Sequence, residues 1–201
     1  MASADGVQIC NIALRRVQGE PITDLETDDT KSAVLCRTLF EPARDAVLRD
    51  HPWSFAIKRQ LMASSTATNL TRWLYSYVEP SDPYCLRPLV LLDAQDFYNE
   101  MTGYPYQEES RIIYTDLYAA GLKYIARITD VSQWDDNFVD AIAWRLAADL
   151  LKPIEGSSAV DLWMMYERAL MIAKGNNDLG AQEPPLPPSS WVDSRFSPRS
   201  R

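Results

Sequence analysis

Residues 49–57 read Arg49-Asp50-His51-Pro52-Trp53-Ser54-Phe55-Ala56-Ile57, and the chain changes its hydrophobic period inside them. Before this stretch, apolar residues recur at the three-to-four spacing of helices. From Trp53 to Ile57 they alternate with a period of two, as in a half-buried strand. Pro52 marks the junction, because it fixes φ and offers no amide hydrogen. Helices should therefore precede the junction and strands should follow it.

Upstream, residues 6–18 place Ile9, Ile12, Ala13 and Val17 at helical spacing. Ser3 or Asp5 is expected to cap this helix and Gly19 to end it in a left-handed turn. Residues 20–28 read as a loop. Asp28, Asp29 or Thr30 should cap a second helix with Val34, Leu35, Thr38 and Leu39 on one face. Pro42 predicts a kink or break near Phe40.

Downstream, strands are predicted over 53–57, 73–78, 86–92, 111–115 and 122–129. Pro88 belongs at a sheet edge or strand start, and residues 97–109 read as a loop. In the last strand Leu122, Tyr124, Ala126 and Ile128 share a face. Helical spacing returns with Phe138, Val139, Ile142, Leu146 and Leu150, capped by Asp135 or Asp136 and stopped by Pro153. Ser158 and Asp161 approximate a capping box before Leu162, Met165, Tyr166, Ala169 and Ile172, with Gly175 as the stop. The Pro-rich stretch Glu183-Pro184-Pro185-Leu186-Pro187-Pro188 predicts an extended segment, followed by Trp191 and Phe196.

The predicted fold class is α+β: a four-helix bundle-like body with an inserted small antiparallel β subdomain and an extended C-terminal arm. Residues 1–52 supply the N-terminal helices and 53–130 the β-rich insert. Residues 131–175 complete the bundle, and 176–201 form a Pro-rich docking arm. Leu186, Trp191, Arg195, Phe196 and Arg199 are the candidate partner-docking residues, because apolar and arginine anchors on an extended arm suit a neighbouring surface. Trp53 is expected in the core.

Composition narrows the function classes. The chain has 201 residues, 46% of them hydrophobic, enough for a substantial core. No run approaches the roughly 20 apolar residues of a membrane span, and the first residues lack the pattern of a signal peptide. Cys10, Cys36 and Cys85 are far apart and odd in number, which suits reduced thiols in a cytosol. Net charge is −8, with residues 1–175 holding 25 acidic and 17 basic residues and the remainder neutral. Such a body should not grip DNA through its phosphates, although it could surround DNA without adhering.

Catalytic patterns are not found in the sequence. His51 is the sole histidine, and no nucleophile elbow, Walker loop, dinucleotide fingerprint or Cys-x-x-Cys accompanies it. No catalytic residue, cofactor or metal is expected. The alternative is a peptidoglycan hydrolase with a carboxylate general acid, for which Glu108 and Glu155 are candidates.

Several segments together resemble the tail tubular protein A, or head-to-tail adaptor, family of short-tailed phages. They are Asn11-Ile12-Ala13-Leu14-Arg15-Arg16-Val17 with Gly19-Glu20-Pro21-Ile22, and Ala43-Arg44-Asp45-Ala46-Val47-Leu48-Arg49-Asp50-His51-Pro52-Trp53-Ser54-Phe55-Ala56. Tyr75-Ser76-Tyr77 with Pro80-Ser81-Asp82, then residues 124–130 and 138–148, are also similar. The resemblance spans about residues 8–175, and Pro83-Tyr84 departs from it as an insertion before Cys85. It implies a virion protein of the tail or neck, assembled in the host cytoplasm as a dodecameric ring. Such a ring binds the portal and the tail nozzle or tube and encloses DNA without specific contacts. It also implies an arm that embraces the portal or a neighbouring subunit.

Overall fold

A computed structural model of the chain describes residues 2–95, 97, 103–155 and 159–180. Among these are four α-helices: α1 (Ala2–Arg16), α2 (Lys31–Asp50), α3 (Asp136–Glu155) and α4 (Val160–Gly180). Between α2 and α3 the described residues form seven strands: β1 (Ile57–Leu61), β2 (Ala63–Ser64), β3 (Tyr75–Val78), β4 (Cys85–Asp93), β5 (Gln107–Glu109), β6 (Ile112–Thr115) and β7 (Ala120–Ala126). They form two antiparallel sheets, ordered β1-β7-β4 and β2-β3-β6-β5.

Strand β7 explains why the expected architecture has to be corrected. It is central in its sheet, and Leu122, Tyr124, Ile125 and Ala126 are all buried, so both its faces are covered. One continuous apolar core joins these residues to Ile113 and Tyr77 of the second sheet, Val47 and Leu48 of α2, Phe138 and Ile142 of α3, and Tyr166 of α4. The strands therefore build the principal core and are not a small insert beside a helical body. The helices do not form a bundle-like body either. Helices α1, α2 and α4 each pack on α3, and α1 and α2 meet each other over a smaller area than either meets α3. The α+β class stands; the four-helix body with a β insert does not.

The 49–57 junction is also corrected. Trp53 is fully buried, its indole Nε1 donating to the Val47 carbonyl at 2.9 Å. Residues Ser54–Ala56 form a 3-10 turn, and the strand begins only at Ile57. Period-two spacing over so short a run fits a tight turn with two apolar contacts equally well. Trp53, Phe55 and Trp134 gather around Phe138, with ring centroids 4.9, 4.9 and 5.4 Å away.

A second core lies between α1, α2 and α3, where Cys10, Ala13, Leu14, Ala33, Cys36, Ala147 and Leu150 meet. Hydrogen bonding to Cys36 and burial hold the Cys10 thiol well above the ordinary range, so it stays protonated. Thr30 is the cap of α2, its hydroxyl accepting from the Ala33 amide at 3.2 Å. The inward face of α2 is Ala33, Cys36, Ala43 and Val47, whereas Val34 and Thr38 are exposed. Small residues won this face because they let α2 approach α3 closely.

The predicted stops were overridden. Helix α2 runs through Pro42, α3 through Pro153 to Glu155, and α4 through Gly175 to Gly180. Both prolines are exposed, so the carbonyls they leave unbonded can meet water. Helix α1 begins at Ala2, so Ser3 and Asp5 lie within it and do not cap it. The left-handed residue after α1 is Gln18 (φ 52°), not Gly19. Gly19 is needed for space instead, since a Cβ there would come within 2.9 Å of Leu14. Likewise a Cβ on Gly121 would lie 2.0 Å from the Phe97 ring. Ser158, the proposed half of a capping box, lies outside the described residues.

Candidate interaction surface

Five residues proposed for docking, Leu186, Trp191, Arg195, Phe196 and Arg199, lie outside the described residues. Of the expected arm, residues 176–180 belong to α4. Three other places among the described residues gather candidate binding chemistry.

The first is the loop before β3. Asn69 organises it: its side-chain nitrogen donates to the Trp73 carbonyl at 2.7 Å, and its oxygen accepts from the Thr71 amide at 2.9 Å and hydroxyl at 2.7 Å. Trp73 Nε1 donates to Gln107 of β5, and the Leu74 amide donates to Asp116 beyond β6. An ordered loop thus presents apolar side chains outward. Leu70 is 90% exposed, and Leu74 and Tyr118 are 72% and 74% exposed. Tyr118 is steadied by an edge contact with Tyr75. Hydropathy alone did not flag this surface, because Leu70 stands in a polar stretch and Leu74 falls in the aromatic run 73–78 that reads as a strand.

The second is a charged chain that links the helices to both sheets. Asp45 of α2 pairs with Arg44 at 2.9 Å and with Arg127, just past β7, at 2.6 Å. Arg127 and Arg111 both stack on the Tyr84 ring, at 4.3 and 4.1 Å from its centroid. Arg111 reaches Glu79 at 3.6 Å. Arg44, Asp45 and Arg127 lie in the segments quoted above for the resemblance, and Tyr84 in the pair read there as an insertion. Both residues are built into the fold: Tyr84 is the platform of this network, and the Pro83 carbonyl accepts from the Tyr124 hydroxyl at 3.2 Å.

Glu79 is only 4% exposed, and its Oε1 has no hydrogen-bond partner. Burial pushes its carboxyl upward, the negative charge of Glu108 adds to this, and Arg111 opposes it. Burial, reinforced by Glu79, pushes the Cys85 thiol up to about 12. Glu79 borders a cleft of ≈ 330 Å³ with Gln60, Met62, Ser81 and Asp82. Of the two candidate general acids, Glu108 is exposed on β5, while the Glu155 side chain lies outside the description. His51 ends α2 in a structural role, with Nε2 2.9 Å from Asp178 and its ring edge-on to Trp53.

The third is the outer face of α4. Tyr166, Ala169 and Ala173 are buried against the core. Val160, Met164, Met165, Met171, Ile172 and Leu179 are exposed, with Leu179 at 84%. Met165 and Ile172, expected on the inward face, point outward. Beside them Trp144 and Asp140 of α3 complete a groove of ≈ 270 Å³ with Met165, Arg168 and Ile172. Arg16 of α1 pairs with Asp140 and lies over the Trp144 ring at 3.8 Å.

Among the described residues, no group of three or more histidine, cysteine or acidic side chains is placed to hold a metal ion. No described helix is long and apolar enough to cross a membrane. No protein-family model matches the chain, and no curated protein matches it.

Proposed function

We propose that this protein is a structural virion component, a head-to-tail adaptor that forms a ring, dodecameric by resemblance, between portal and tail nozzle or tube. The reading rests on the resemblance stated above. One observation supports it most: the residues that carry the resemblance are spent on internal packing, while apolar side chains are left over on ordered outer elements. Trp53 packs on α2 and α3, and Arg44, Asp45 and Arg127 tie α2 to the end of β7. Leu70 and Leu74 stand outward on a loop fixed by its own hydrogen bonds, near the exposed Tyr118 between β6 and β7. Contacts between different patches on successive copies close into rings when the rotation permits. The arm residues Leu186, Trp191, Arg195, Phe196 and Arg199 then engage the portal or a neighbouring subunit, and the acidic body surrounds DNA without gripping it.

Negative-stain imaging of the purified protein, alone and after co-expression with a portal protein, tests this reading. Rings that co-purify with the portal are expected. Truncation after Gly180 should leave the body folded and abolish co-purification. A protein that forms no ring and ignores the portal at micromolar concentration would overturn the proposal.

The second reading is a cell-wall hydrolase, favoured by one observation: Glu79 is raised beside Glu108, a pairing that could separate acid and base roles. The burial of Glu79 keeps a polysaccharide from reaching it without rearrangement. Lysis in a zymogram that disappears in Glu108→Gln would establish this reading instead.

A further inference from the structure

Between α3 and α4 the chain leaves a concave surface uncovered. Trp144 of α3 and Met165, Ala169 and Ile172 of α4 line the ≈ 270 Å³ groove, together with Asp140 and Arg168. This volume falls below the roughly 300–1,000 Å³ of small-molecule pockets, so the groove suits side chains of a protein. Its wall is adaptable, because Met165 is exposed and a thioether fills irregular gaps. Asp140 is already paired with Arg16. Arg168 is exposed and forms no ion pair among the described residues. The groove therefore calls for apolar side chains with a negative charge beside them.

The loop before β3 offers that combination. Leu70 and Leu74 project from it, and the exposed carboxylate of Asp116 lies at Leu74, whose amide it accepts. Asn69 holds the loop from within, and Trp73 ties it to Gln107 of β5. Such a loop is ordered before it binds, so docking costs little further entropy. Within one folded chain the loop stays exposed and the groove stays open, so neither fills the other. One molecule thus carries a projecting patch and a receding patch that agree in polarity and are opposite in residual charge.

We infer that the loop of residues 70–74 docks into the α3–α4 groove of a second copy of this chain, with Asp116 of the first copy facing Arg168 of the second. Leu70 and Leu74 are the anchors, and Trp144, Met165 and Ile172 receive them. An apolar centre with charges at its edge is the usual anatomy of a protein interface. Each copy spends its loop on one neighbour and its groove on the other. The contact is therefore head-to-tail, the kind that closes into a ring when the rotation permits. The inference deepens the ring reading and rests on it, since it names the two surfaces through which successive copies join.

Two full-length double variants test it. Leu70→Ser with Leu74→Ser removes the loop anchors, and Met165→Gln with Ile172→Gln removes the groove wall. All four side chains are exposed and their replacements uncharged, so fold and net charge are kept, with circular dichroism as the check. In sedimentation velocity at micromolar concentration the natural chain should grow beyond two copies. Each variant alone should stay monomeric, its association weakened at least about tenfold. Mixed in equal amounts, the two variants should form a complex of two chains and nothing larger. One intact loop then meets one intact groove, and the other ends are dead; the pairing also proves both variants folded. A mixture that stays monomeric, or that grows past two chains, would overturn the inference. So would a variant that associates alone as the natural chain does, or a natural chain that is itself monomeric. Rings that survive both variants would sink this contact and leave the adaptor reading standing. Rings built through this contact that ignore a portal protein would do the reverse.

Discussion

Glu79 couples its surroundings to pH. Its folded-state carboxyl is raised above the ordinary 4.5, first by burial and then by Glu108. Above that value the folded protein holds a proton that the unfolded chain releases, so stability falls as pH rises through the window between the two pKa values. Asp24, Asp28 and Asp130 have the opposite sign. Backbone amides hold Asp24 and Asp28 below the usual 3.8, and Ser132 and Gln133 do so for Asp130. Their contribution is present above 3.8 and disappears as pH falls through their lowered values. Stability should therefore peak on the mildly acidic side. In Glu79→Gln the decline from pH about 4.5 to neutral should flatten, as measured by urea midpoints at both ends. A decline of unchanged slope would place the raised group elsewhere. This residue was not legible in the sequence, where Glu79 looks like one more loop acid. Its character comes from a fold that buries it against Cys85 and aligns it with β5. Trp53 was legible as a core aromatic after a helix stop, and Thr30 as one of three candidate caps beside Asp28 and Asp29, among which only the fold could choose.

Helix α4 shows what local signals omit. Gly175 ought to end it, since glycine costs about 1 kcal/mol in a helix interior. The helix continues because its last turn is tied down. Asn177 Oδ1 accepts from the Ser54 amide at 2.8 Å, its nitrogen lies 3.1 Å from His51 Nε2, and Asp178 pairs with His51. Asn177→Ala should cost about 1 kcal/mol, the usual net value of a hydrogen bond. It should also raise amide exchange from Lys174 to Gly180 while leaving α3 protected. If exchange there does not change, the helix end is held by something other than this clamp. The same tertiary override carried α2 past Pro42, on a face where only water lies opposite. The inward face of α2 was misread for a related reason. Hydrophobic ranking selects Val34, Leu35 and Leu39, but close approach to α3 selects Ala33, Cys36 and Ala43.

Across the whole molecule, periodicity located helices and strands but not the sharing of one core between them. The sequence order of helices, strands and helices suggests two bodies. The burial of both faces of β7, set by strand order and register, joins them into one. Charge, by contrast, could be read directly from the residues. With a net charge of −8, the protein should bind duplex DNA at physiological salt more weakly than the roughly 10⁻⁴ M limit of ordinary nonspecific binders. Fluorescence anisotropy would show this, and micromolar binding would contradict the charge argument. Strand β4 bears on how copies of this chain can meet. It forms an edge of its sheet, carries Pro88, and slips register twice, between Cys85 and Arg87 and again between Pro88 and Val90. A flat, regular edge would invite the same strand of another molecule to zip onto it. This one is interrupted, and its Leu91 carbonyl is already taken by the Tyr104 amide. Crowded copies are thereby steered away from fibrous growth through backbone pairing, and their association is left to side chains that can choose a partner.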